Sequence, residues 1–279
     1  MLPGSVAVIT GGASGIGLAA ASRFAAMGLR VCIADIGPAR LAAAVAKIKE
    51  DVGARAEVIS IETDVSDLSS VQRLESEVGR RFGGTDILMN NAGISRDSTC
   101  LDQLEHWQQI LAVNLWGIIH GTQTFVPRML QRERPGYVIN TGSKQGITTP
   151  PGNPAYNVSK AGIKVFTEAL QHQLRNTPGA KISAHLLIPG FVFTGMTAGN
   201  RTEKPAGAWT PEQTVDFMLS KLAIGDFYIL CPDNDVTRAT DEKRILWSAG
   251  DIVDNRPPLS RWHPEYVATF DAFMKENSG

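Results

Sequence analysis

The most constraining feature of this sequence is the junction between its first strand and first helix. Residues 6–10 (VAVIT) form a short apolar run. The run enters Thr10-Gly11-Gly12-Ala13-Ser14-Gly15-Ile16-Gly17 without a break. Beyond it, Ile16, Ala20 and Phe24 recur every four residues, the period of one helix face. Glycines at such a junction let the chain turn sharply and let backbone amides approach a phosphate. The helix that follows points its amide-rich, positive end at the same place. A turn of purely structural use is the plain alternative. Context favours the phosphate site, because an acid, Asp35, closes the next apolar run at 31–35 (VCIAD). Eighteen residues beyond Gly17 suits a carboxylate that accepts hydrogen bonds from adenosine ribose hydroxyls. The same carboxylate would repel a 2′-phosphate, and neither Ser14 nor Ile36 is basic. NAD is therefore expected rather than NADP.

The pattern continues along the chain. Short apolar runs at 56–62, 87–91, 137–141, 181–188 and 227–231 alternate with helical segments. Val71, Leu74 and Val78 mark one helix, 101–132 has room for two, and 155–174 for one. Strands that read as continuous apolar runs are covered on both faces. Strand and helix taking turns imply right-handed crossovers and a parallel sheet. The expectation is α/β: a Rossmann-type, doubly wound, seven-stranded parallel sheet. With no internal repeat or low-complexity linker, residues 1–254 are expected to form a single domain. Residues 255–279 are expected to form a C-terminal extension packing on the domain or on a partner subunit. Within it 255–264 (NRPPLSRWHP) is expected to be extended. Residues 264–275 are expected to be helical, with Tyr266, Val267, Phe270, Phe273 and Met274 on one side. An isolated helix of that length is marginal in water, so the stripe must be buried against something. A cover over the active-site entrance is the expected place, and an interface between subunits the alternative.

Composition removes other classes. The net charge is −1, with 27 basic and 28 acidic residues, and no dense basic run offers phosphate neutralisation, so no nucleic acid is expected. No stretch of about 18 apolar residues occurs, so no membrane association is expected. Cys32, Cys100 and Cys231 are odd in number and scattered, like the five histidines, so neither a disulfide framework nor a metal site is expected. Residues 1–9 lack the charged start and long apolar core of a signal peptide, and a cytoplasmic location is expected.

Further residues carry a resemblance. Thr10-Gly11-x-x-x-Gly15-x-Gly17, Asn90-Asn91-Ala92-Gly93, Asn114, Ser143, Tyr156-x-x-x-Lys160 and Pro189-Gly190 with Thr194 stand in order. Over roughly residues 5–195 the chain resembles the single-domain branch of the short-chain dehydrogenase/reductase family. The resemblance implies an Asn114, Ser143, Tyr156, Lys160 catalytic tetrad. It also implies cofactor contacts from Gly11, Ser14, Gly15, Ile16, Gly17, Asp35, Asp64, Val65, Asn91, Ala92, Gly93, Tyr156, Lys160, Pro189, Gly190, Val192 and Thr194. Asn114 would hold a water linking Lys160 to solvent, and Asp64 would contact the adenine amine. An acid introducing the helix at Asp67 is nearly as good a reading of Asp64. A homodimer or homotetramer built on the long helices after Leu101 and Pro154 is implied. Such relatives often end soon after the seventh strand, whereas this chain continues for nearly fifty residues past Cys231.

The residues support that chemistry independently. Tyr156 and Lys160, four apart on a helix, share a face. An ammonium beside a phenol favours the phenolate, so Tyr156 becomes a usable acid/base. Ser143 follows the fifth strand, at the sheet edge where parallel sheets bind ligands, and can hydrogen-bond the reacting oxygen. The expected reaction interconverts a secondary alcohol and a ketone, with hydride passing to or from the nicotinamide of NAD. The substrate pocket is expected from Ser143, Gln145, Tyr156, Phe191, Met196 and Trp209, with a loop at about 195–225 carrying Phe217 and Met218. Such a lining suits an apolar or aromatic substrate. Phe217 and Met218 fit equally well on the buried face of a helix after Pro211. Two rivals remain. A nucleotide-sugar epimerase or dehydratase would favour Gly-x-x-Gly-x-x-Gly, where this chain has Ser14. An NAD-sensing regulator without turnover would have lost tetrad residues, and all four are present. A serine hydrolase would need Gly-x-Ser-x-Gly, but Thr141 stands two before Ser143.

Overall fold

The computed structural model describes residues 2–275. Seven parallel strands form one sheet: β1 (Val6–Thr10), β2 (Arg30–Asp35), β3 (Val58–Glu62), β4 (Ile87–Asn90), β5 (Gly136–Thr141), β6 (Ile182–Ile188) and β7 (Tyr228–Leu230). Their order is β3-β2-β1-β4-β5-β6-β7. The chain winds outward from β1 in one direction, then returns to start β4 on its other side. The carboxyl ends of β1 and β4 therefore diverge and open a crevice between them.

Strand alternation sorts side chains into two cores. Ala7 and Ile9 of β1 join one core with α1 (Gly15–Ala26), α2 (Pro38–Val52) and α9 (Pro211–Ala223), where Phe24, Ile48 and Met218 are buried. Val6 and Val8 face the other core with α3 (Leu68–Phe82), α5 (Gly117–Gln131) and α7 (Pro154–Arg175). The elements between them are α4 (Leu104–Ile110), α6 (Gln145–Thr148) and α8 (Gly195–Ala198). Each burial of a large aliphatic side chain stabilises by about 1.5–3 kcal/mol, and every β1 residue is buried.

The expected single break within 101–132 is a π-helical turn, Leu111–Trp116, that joins α4 to α5. Such turns accommodate one extra residue and often occur at functional sites. Beyond β7 come α10 (Arg238–Val253) and α11 (Val267–Lys275). The expected extended segment before α11 is instead coiled into 3-10 turns at Ser260–Trp262 and Pro264–Tyr266. The Ser260 amide donates to Asp251 Oδ2 at 3.1 Å, and this side-chain anchor bends the chain. Phe270 and Phe273 of α11 lie with ring centroids 5.2 and 5.3 Å from the Trp247 ring of α10. The aromatic stripe thus covers the chain's own α10.

Among the described residues no helix is long and apolar enough to cross a membrane.

Candidate active site

A cavity of about 680 Å³ lies along the carboxyl edge of the strands. The loops that make it are stitched together by Thr10 and Asn91. Thr10 Oγ1 accepts from the amides of Asn91 (2.9 Å) and Ala92 (3.2 Å). Asn91 Nδ2 donates to the Thr10 carbonyl at 3.2 Å, and its Oδ1 accepts from Thr141 at 3.2 Å. Loops after β1, β4 and β5 are thereby held in one register.

The cavity is lined by Gly11, Ser14, Gly15, Ile16, Asp35, Asp64, Val65, Asn91, Ala92, Gly93, Ser143, Tyr156, Lys160, Pro189, Gly190, Val192, Thr194 and Met196, all singled out from the sequence. Gly17 is not among them. It packs under the loop, where a Cβ would stand 2.2 Å from the Gly11 carbonyl oxygen. This glycine lets α1 approach β1. The first turn of α1 has neither a side-chain cap nor an acidic residue. Its amides therefore face the cavity as anion donors. At the end of β2, Asp35 accepts from the amides of Ala13 (3.0 Å) and Ile36 (2.8 Å). The uncapped helix end and this acid fit a dinucleotide, with phosphates at the first and a ribose at the second.

One group here escaped sequence analysis. Arg40, in the first turn of α2, also lines the cavity. Its Nη2 is 3.8 Å from Asp35 Oδ2 and donates to Ser14 Oγ at 3.4 Å. Its helical position after Gly37-Pro38 was the only available signal. Gln109 and Thr197 also line the cavity, placed by the docking of α4 and α8, and so does Ile94, next to the Asn90–Gly93 motif.

Asp64 Oδ1 accepts from the Ser66 amide (2.9 Å) and hydroxyl (2.6 Å), shaping the loop after β3. The cap of α3 is Asp67, which accepts from the Ser69 amide at 2.9 Å. Asp64 is therefore left for the cavity wall.

At the other end Asn153 accepts from the Tyr156 amide (3.2 Å), capping α7, and receives the Ser98 hydroxyl at 2.7 Å. Tyr156 and Ser143 lie together on the cavity wall, and Ser143 Oγ accepts from the Gln145 amide at 3.2 Å. Lys160, buried one turn on, donates to the Thr141 carbonyl at 2.9 Å, with Nζ 5.5 Å from the Tyr156 ring centroid. Burial pushes the Lys160 ammonium down to about 8. Burial also raises the Tyr156 phenol, and Ser143 only partly opposes it. This differs from the lowering expected from a neighbouring ammonium, because desolvation of the buried phenol is the larger effect. Asn114 is fully buried in the π-helical turn, behind the wall. Its Oδ1 accepts from the Ile94 amide (2.8 Å), and its Nδ2 donates to the Ile94 carbonyl (3.0 Å) and Ser159 Oγ (3.1 Å).

Three expected pocket residues do not line this cavity. Gln145 is exposed, and Phe191 lies beneath the Arg201 guanidinium, 5.6 Å from its ring centroid. Trp209 meets Phe217 edge-on at 5.7 Å on the core side of α9, where Met218 is fully buried. The segment around Trp209 is thus a core element, because α9 needs an apolar face against the sheet. Among the described residues, none of 236–275 lines the cavity.

A doubly wound sheet with a dinucleotide crevice and a buried lysine beside a tyrosine defines the class of nucleotide-dependent oxidoreductases. The sequence model of the short chain dehydrogenase family matches residues 5–205, and the chain belongs to that family. It is 35% identical over 227 residues to a 3-oxoacyl-[acyl-carrier-protein] reductase of Thermotoga maritima, covering 81% of this chain and 85% of that protein. It is 32% identical over 253 residues to the 1-deoxy-11-beta-hydroxypentalenate dehydrogenase of Streptomyces avermitilis, covering 87% and 90%. A short chain dehydrogenase/reductase from Burkholderia phymatum, crystallised with NAD, superposes with a TM-score of 0.82 at 30% identity, covering 92% of this chain and 97% of that one.

Proposed function

We propose that the protein is an NAD-dependent oxidoreductase that interconverts a secondary alcohol and a ketone, with an apolar or aromatic substrate. The observation that carries this reading is one cavity wall shared by Asp35, the uncapped end of α1, Ser143, Tyr156 and buried Lys160. Asp35 is assigned the adenosine ribose and the amides of α1 the phosphates. When bound, the nicotinamide supplies the hydride acceptor or donor. Ser143 orients the substrate oxygen, and Tyr156 exchanges a proton with it. Lys160 stabilises the charge that develops on Tyr156 and binds the nicotinamide ribose. Asn114 holds the Ile94 wall from behind and is assigned the water-mediated link from Lys160 to solvent.

An apolar substrate is supported by Ile94 and Met196 in the lining, and an alcohol by the hydroxyl-bearing substrate in the name of the Streptomyces relative. The Thermotoga relative supports a 3-oxoacyl thioester as an alternative of the same chemistry. Exposed Val158 and Val165 on α7, with Trp116, support a homodimer or homotetramer. A cytoplasmic location agrees with three free cysteines.

The test follows reduced-nicotinamide absorbance with NAD and NADP. The panel holds alicyclic, aromatic and aliphatic secondary alcohols, their ketones and acetoacetyl-coenzyme A. Turnover of a ketone–alcohol pair that is lost in Tyr156→Phe supports the proposal. Tight NAD binding with no turnover across the panel would favour a cofactor-sensing role.

A further inference from the structure

Directly after Ser143, the side chain of Lys144 leaves the cavity and enters a buried cluster of charges. Its Nζ donates to Asp233 Oδ2 at 3.3 Å and makes a close ion contact with Asp241 Oδ2 at 2.6 Å. The three side chains are only 17%, 6% and 6% exposed. Asp233 follows β7 and Asp241 lies on α10, so both anions belong to chain beyond the part matched to the family. The cluster also holds the turn after β6. Asp233 Oδ2 accepts from the Phe191 amide at 3.2 Å, and the Lys144 amide donates to the Pro189 carbonyl at 3.3 Å. Room for it depends on Gly190, where a Cβ would stand 2.5 Å from Asp233 Oδ2 and 2.8 Å from Lys144 Nζ.

The extension behind the cluster is firmly built. Trp247, one face of α10, donates to Ser260 Oγ at 2.8 Å and is covered by Arg256, whose guanidinium lies 4.1 Å from the ring centroid. Phe270 and Phe273 complete its cover. Helix α10 is thus backed by the extension through Trp247 and gripped by Lys144 through Asp241. A buried ion pair is costly to break on one side, because the remaining charge stays desolvated. It also has a narrow range of geometries, which suits it to fixing the backbone that carries it.

We propose that Lys144 is a positioning residue: clamped between Asp233 and Asp241, it fastens the Ser143 segment to α10 and the loop after β7, which thereby set where the Ser143 hydroxyl points. The proposal rests on the Ser143 role given above. It makes α10, backed by the extension, an internal brace of the active site.

Two measurements test it. The first needs no substrate: hydrogen–deuterium exchange of the 142–148 peptide in the whole protein. Asp241→Asn, nearly isosteric, and Lys144→Met are each expected to speed exchange there severalfold, with the peptide over β1 unchanged. Unchanged exchange at 142–148 in both variants overturns the brace. The second is a double-mutant cycle on the fastest ketone of the panel. Asp241→Asn is expected to lower kcat about tenfold in the wild-type background and less than twofold in Ser143→Ala, as for two residues acting through one group. Equal falls in both backgrounds, or none in the first, overturn the coupling to Ser143. If Ser143→Ala itself leaves kcat intact, the assigned role of Ser143 fails instead, and the exchange measurement alone decides whether the brace exists.

Discussion

Arg40 bears directly on the expected preference for NAD over NADP. Asp35 alone would accept ribose hydroxyls and repel a 2′-phosphate, but the Arg40 guanidinium stands 3.8 Å from its carboxylate and faces the same cavity. Its side chain is 55% exposed, so its attraction to Asp35 is worth at most about 1 kcal/mol. The guanidinium is free to turn toward a phosphate carrying roughly two negative charges. A charge-assisted hydrogen bond of that kind contributes about 1.5–3 kcal/mol. Arg40→Ala is therefore expected to weaken NADP binding by roughly 10- to 150-fold while changing NAD binding less than about threefold. Asp35→Ala should do the reverse. It removes hydrogen bonds to the ribose and the repulsion together, so NAD weakens, NADP tightens, and the ratio approaches unity or inverts. Titration calorimetry of wild type and both variants with each cofactor, at fixed salt, reads both effects. If Arg40→Ala weakens NAD and NADP by the same factor, Arg40 does not sense the 2′ position, and the reasoning fails.

Other outcomes are equally accessible. Tyr156→Phe is expected to lower turnover at least about 100-fold, with the NAD dissociation constant within a few-fold of wild type; retained turnover would give the proton to another group. Because burial raises the Tyr156 phenol, it starts as the neutral acid, so ketone reduction should proceed at neutral pH while alcohol oxidation climbs toward alkaline pH; parallel pH–rate profiles in both directions would refute this. Lys160 titrates near 8 in the fold, against 10.5 ordinarily. Folding penalises its charged form, so a cost on the order of 3 kcal/mol is present in full below about pH 8 and fades as pH rises toward 10.5. Melting curves of cofactor-free wild type and Lys160→Met should therefore converge as pH rises from 7 to 10, and a constant offset would contradict the assigned shift. At the far end of the sheet Asp86, 4% exposed, accepts from the Val6 amide at 2.8 Å and pairs with Arg132 at 3.3 Å. Asp86→Ala should cost about 3 kcal/mol and several degrees of Tm, leaving kcat per folded molecule unchanged; a melting point within one degree of wild type would show that the pair carries no stability.

The sequence by itself determined whatever depends on local period and spacing. Seven apolar runs alternating with helical patterns specified a parallel sheet, because a strand buried on both faces has to be apolar at nearly every position, as all of β1 is. Glycines between strand and helix, with Asp35 closing the next strand, marked the crevice at the carboxyl edge, since close backbone approach and a strand-ending acid are properties of short segments. Tyr156 and Lys160 shared a face because four residues make about one helical turn. Only the tertiary structure decided which distant surfaces meet. It brought Arg40 to Asp35 and turned Trp209 and Phe217 toward the core of α9. It set Gln109 in the cavity wall, and it seated Phe270 and Phe273 on Trp247. An apolar or charged side chain announces that it needs a partner. The partner itself is chosen by the angle at which helices dock on the sheet, a collective property of the whole packed core that no local window of sequence contains.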